Sequence, residues 1–160
     1  MSCARICWIA RLIGLLLAAA SLSSWADCTT VTSQSIAFGI YSAIDGAPRD
    51  SMGSVSVTCN GRLLGPDVGS ISISTGISGN YASRTMSNGA QRLAYNLYTD
   101  PARSTVFGDG SRGTGTVGFS AGGILFIPST VSVPIYARAF ARQEVAPGQY
   151  VDTLVITVTY

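Results

Sequence analysis

The sequence predicts an all-β protein, a two-sheet sandwich, and three observations carry that expectation. Short runs rich in β-branched residues recur between clusters of Gly, Asn, Asp and Pro. Within the runs apolar and polar residues alternate with period two, and after the N-terminal segment no apolar period of 3.6 persists for three turns. The turn pairs Asn60-Gly61, Asn88-Gly89 and Asp109-Gly110 tolerate the positive φ that tight reversals need.

The first residues set the compartment. Arg5 and Arg11 precede an apolar run from Leu12 to Ala20, followed by Ser24-Trp25-Ala26 with small residues at both cleavage-determining positions. This is the pattern of a secretory signal peptide over residues 1–26, with one mature domain over 27–160. The run is too short for a membrane span, so stable membrane insertion is not expected. Trp25 and Asp27 stand where a lipidation signal wants an aliphatic and a small residue. The expected route is export through the periplasm to the cell surface or beyond.

Cleavage removes Cys3 and Cys7 and leaves Cys28 and Cys59, which in an oxidising compartment are expected to pair. A loop of that length contributes roughly 3–4 kcal/mol in the chain-entropy picture. All ten basic residues are arginine, and losing Arg5 and Arg11 balances the rest against eight acidic residues. A neutral domain offers no electrostatic case for nucleic acid or anionic lipid.

The expected strands are Ile36–Tyr41, Ser54–Cys59, Ser70–Thr75, Arg92–Tyr98, Thr114–Phe119, Val131–Ala139 and Tyr150–Tyr160. Val55, Val57 and Cys59 share one face, and Ile71 and Ile73 repeat the pattern against Ser70, Ser72 and Ser74, so each strand has a core side and a wet side. Pro134 argues for an edge strand or a bulge. Gly122–Pro128 is either a buried strand or an exposed apolar loop. In the last strand Leu154, Ile156, Val158 and Tyr160 face one way, and if it lies at a sheet edge its free N–H and C=O groups call for a partner.

Catalysis finds little to work with. There is no histidine and no lysine, which removes the usual general base, the commonest transition-metal ligand and the Schiff-base amine. Paired cysteines leave no thiolate for zinc or nucleophilic attack. Asp100 and Asp109 sit beside turn formers, where a carboxylate caps its own backbone rather than serving a glycosidase or a calcium loop. Gly108-Asp109-Gly110-Ser111-Arg112-Gly113 matches a phosphate-loop pattern in letters, but no helix start follows it. No enzyme activity, metal or cofactor is expected.

A series of motifs runs in order along the chain: Cys28, Ala37-Phe38-Gly39-Ile40-Tyr41, Gly53 to Cys59, Arg84-Thr85-Met86, Leu93 to Asp100, Phe107-Gly108-Asp109-Gly110, and Pro147-Gly148-Gln149-Tyr150-Val151-Asp152-Thr153. From Cys28 to Tyr160 the sequence resembles the spore coat U domain family, which includes subunits of Csu-type, archaic chaperone–usher pili. The resemblance implies an immunoglobulin-like sandwich lacking its final strand, held by a periplasmic chaperone, delivered to an outer-membrane usher and completed by a strand from a neighbouring pilus subunit. By that mapping Leu154, Ile156, Val158 and Tyr160 line the open groove, with Ile36, Phe38 and Ile40 opposite. Polymerising relatives carry a donor segment before the first cysteine. Only Asp27 stands there after the expected cleavage, which points to a tip or minor subunit with an adhesive or structural role. Two rival readings are a self-sufficient secreted coat or matrix protein and a sugar-binding module.

Overall fold

A computed structural model describes residues 28–61, 65–122 and 127–160. The expected signal segment and the centre of Gly122–Pro128 lie outside the described residues. Eight strands form among them: β1 (Cys28–Gln34), β2 (Arg49–Cys59), β3 (Asp67–Ile73), β4 (Arg84–Asn88), β5 (Gln91–Tyr98), β6 (Val117–Ala121), β7 (Ser129–Ala139) and β8 (Ile156–Thr159), with a 3-10 turn at Gly76–Ser78. No helix of the described residues is long and apolar enough to cross a membrane.

The strands build two antiparallel sheets, β1-β2-β7-β5-β4 and β6-β3-β8, packed as a sandwich of the immunoglobulin-like kind. Period-two patterning fixes which side chains meet between them. Val55, Val57, Cys59 and Ile71 are fully buried, joined by Ile73, Leu93, Leu97, Phe107, Ile135 and Ala137. The expected turn at Asn88-Gly89 joins β4 to β5, with Asn88 opposite Gln91 and Gly89, at φ 58°, opening the two-residue loop. The expected Cys28–Cys59 disulfide joins β1 to β2, whose pairing begins at those two residues.

Several expected elements differ. Ile36–Tyr41 forms no regular strand; the first strand is β1, whose Thr- and Ser-rich sequence carries little hydrophobic signal. β4 is short and escapes the alternation test. The last strand is confined to Ile156–Thr159, because Tyr150–Val155 crosses between the sheets. Pro134 lies in β7, between β2 and β5, not in an edge strand. The β5 ladder ends at Tyr136, so beside Pro134 β7 has a ladder partner only in β2, and no bond to β5 is sacrificed.

Candidate functional site

The C-terminal segment defines the site because it serves both sheets. Val151 pairs with Ser87 at the edge of the five-stranded sheet, its N–H donating to Ser87 O at 3.1 Å while Ser87 N–H donates to Val151 O at 2.8 Å. Four residues later Ser74 N–H donates to Val155 O at 2.9 Å, and β8 then pairs with β3 from Ile156↔Ile73 to Thr159↔Ser70. Among the described residues β8 has no strand on its other side, and β1, at the matching edge of the second sheet, pairs with β2 alone.

Asp152 pins the crossing. Its Oδ1 accepts the N–H groups of Ile77 (3.0 Å) and Thr153 (2.8 Å), and its Oδ2 accepts the Tyr95 hydroxyl at 2.7 Å. Burial, and then the bond to Asp152, push the Tyr95 phenol far above its ordinary pKa. Gly76 is obligatory here, because a Cβ would collide with the Asp152 carboxylate and φ is 65°.

Between the two free edges runs an open trough. A cavity of about 440 Å³ is bounded by Ile36 and Phe38 on one flank and by Asp152, Leu154 and Ile156 on the other, with Tyr95 in its lining. It continues past Met86 into a wider recess of about 790 Å³ between residues 36–41 and 145–151. Phe38 meets the Tyr95 ring edge-on, with centroids 5.8 Å apart. The other end is narrower, because the Tyr160 hydroxyl donates to Cys28 O at 3.1 Å, tying the end of β8 to the start of β1.

The sequence-expected groove residues fall into three groups. Ile36, Phe38, Leu154, Ile156 and Val158 all pack, half-buried, against the core. Ile40 is 86% exposed and sits at the rim of the wider recess. Tyr160 is 52% exposed and spans the narrow end through its hydroxyl. Val31 of β1 lies opposite fully buried Val57, yet is itself 46% exposed. A core-facing valine left half in water marks the place where the sandwich is uncovered.

Sequence reasoning passed over Asp152, Tyr95 and Arg84. Asp152 had a signal, since it keeps the parity of Leu154, Ile156 and Val158 and so points inward with them. Arg84 is fully buried and stands opposite Tyr95 in the β4–β5 ladder, behind the wall of the trough. Its Nε donates to Ser74 O (3.0 Å), one terminal nitrogen to Asn96 Oδ1 (2.8 Å) and the other to Ser74 O (2.9 Å) and Phe107 O (2.6 Å). Burial lowers its pKa, but neighbouring oxygens take up its donors.

The two carboxylates weighed for chemistry serve turns. Asp100 accepts the N–H groups of Ser104 and Thr105, and Asp109 accepts those of Ser111 N–H and Oγ–H. Those bonds hold both below the ordinary carboxylate pKa. The Gly108–Gly113 segment is likewise a turn, with Thr114 N–H donating to Ser111 O and no helix after it.

No curated protein matches the chain. Among solved structures the chain is similar to the CsuC–CsuE chaperone–tip adhesion subunit pre-assembly complex from the archaic chaperone–usher Csu pili of Acinetobacter baumannii, at 17% identity and a TM-score of 0.51. The match covers 85% of this chain and 40% of that one, so the chain spans well under half of its neighbour's length, and at this identity the likeness concerns the fold. The model of the Spore Coat Protein U domain matches residues 15–157, nearly the whole sequence, and the chain belongs to that family.

Proposed function

We propose that the protein is an exported, non-enzymatic subunit of a chaperone–usher pilus of the archaic class, working by strand complementation. The observation that carries the proposal is the pair of free edges, β1 and β8, flanking a largely apolar trough along which Ile36, Phe38, Leu154 and Ile156 are half-buried. An extended strand laid between them would satisfy their main-chain groups and bring its alternate side chains onto Ile36, Phe38, Leu154 and Ile156. The partners are then a periplasmic chaperone, an outer-membrane usher and neighbouring subunits. A position at the tip or in a minor place is part of this reading, in keeping with a structural neighbour that is a complex containing a tip adhesion subunit.

The test is thermal unfolding of the exported protein with and without a synthetic donor strand from a neighbouring subunit. A rise in midpoint that grows with peptide concentration is expected, as binding to the native state requires; equal midpoints would overturn the reading. Ile156→Asp should abolish capture by the chaperone while the precursor is still exported. N-terminal sequencing of exported material would establish the cleavage point and whether a donor segment precedes Cys28.

A further inference from the structure

The trough is apolar along most of its length, but one carboxylate stands in its wall. Asp152 continues the inward row of Leu154, Ile156 and Val158, and with Tyr95 it lines the same cavity. Its three donors are the Ile77 and Thr153 amides and the Tyr95 hydroxyl. None of them is a cation: the buried Arg84 guanidinium acts on Asp152 through its charge, but its N–H groups go to Ser74, Asn96 and Phe107. Asp152 is half-buried in the strand-free protein, so water still reaches it. A strand seated in the trough removes that water, and a carboxylate taken out of water without new donors is costly.

Resting on the strand-accepting role above, we infer that Asp152, with Tyr95, selects the chemistry of the incoming strand. The occupant carries apolar side chains over Leu154, Ile156 and Val158 and a short hydrogen-bond donor, of the threonine or serine kind, at the inward position over Asp152. A large apolar residue there would bury the carboxylate against hydrocarbon. An acidic residue would set two like charges together. Each carboxylate oxygen can accept more than one hydrogen bond, so a hydroxyl can be added without displacing Tyr95. Asp152 is thus a specificity-determining residue, and the partner is recognised by an apolar row that ends in one polar step.

The experiment measures binding of synthetic strands, each about twelve residues with valine at every inward position, and a matched series in which threonine replaces valine at one inward position at a time. Threonine and valine have nearly the same shape, so the comparison isolates the hydroxyl. One position, at the end of the apolar row, should bind roughly tenfold more tightly as threonine, and the others more weakly. Asp152→Ala should erase that preference. Tyr95→Phe, which takes one donor from the carboxylate but keeps the ring, should widen it. A purely structural role for Asp152 would weaken all strands alike and leave their ratio unchanged. Equal affinity for threonine and valine at every position, or a preference that survives Asp152→Ala, would overturn the inference while leaving strand acceptance intact. Failure of every strand to bind would instead overturn strand acceptance itself.

Discussion

Ile73 and Ile156 face each other across the β3–β8 ladder, both pointing into the sandwich, yet Ile73 is 2% exposed and Ile156 remains half-buried. The residue type, register and face are the same. What differs is the far side: among the described residues β3 is flanked there by β6 and, beyond the end of that ladder, by Gly108, whose carbonyl accepts the Ile73 N–H at 3.1 Å, whereas β8 has no second strand. The same contrast separates Val57 from Val31 across the β1–β2 ladder. Burial in this protein is therefore set by strand neighbours more than by side-chain character. The molecule has a finished half, which Arg84 helps to hold, and an unfinished half along the trough, bordered at β1 by the disulfide.

The strongest test of the finished half is Arg84→Leu. It strips donors from the carbonyls of Ser74 and Phe107 and from Asn96, all in or beside the core, and unsatisfied buried acceptors cost about 1–3 kcal/mol each. A loss of about 4 kcal/mol or more in urea unfolding is expected, and a bound donor strand should not rescue it. Replacing both Cys28 and Cys59 with serine should cost roughly 3 kcal/mol through the freed unfolded chain. It should also loosen the Tyr160–Cys28 contact at the narrow end of the trough.

The isoleucine pair tests the comparison directly. Ile73→Ala should destabilise the strand-free protein by about 2–4 kcal/mol and Ile156→Ala by about 1 kcal/mol, because only the first opens a cavity in closed packing. With a donor strand bound, the Ile156 cost should climb towards the Ile73 value; an unchanged difference would show that β8 is not covered by the strand.

The smallest effect is expected at Asp50. Its hydrogen bond to the Arg138 guanidinium at 2.7 Å, opposed by slight burial and aided by the charges of Arg103 and Arg138, lowers its pKa. A carboxylate with a depressed folded pKa adds stability above its unfolded value, near pH 4, and loses it as pH falls through the lower folded value. The pair is well exposed, with Asp50 at 38%, so Asp50→Asn should cost under about 1 kcal/mol at pH 7. That difference should vanish in strong acid, as paired unfolding curves across pH 2–7 would show.

Some of this was legible residue by residue. Val55-Ser56-Val57-Thr58-Cys59 alternates so cleanly that its core face follows from period two alone, and Asn88-Gly89 announces a turn by the positive φ that Gly89 permits. β1 was not legible, because Cys28–Gln34 carries one large apolar residue and its strand state comes from pairing with β2. Nor was the role of Arg84, since an arginine between a serine and a threonine reads as surface until oxygens from distant loops surround it.

By itself, then, the sequence determined the class of structure, the inward faces of the main strands and the pairing of Cys28 with Cys59. These depend on local backbone preference, on side-chain parity and on the chemistry of the compartment. Only the tertiary structure decided which inward faces are covered, that Tyr150–Val155 crosses from one sheet to the other, and that Asp152 stands in the trough wall. Those are matters of strand order, and strand order comes from contacts between residues far apart in the chain, which period and propensity do not record.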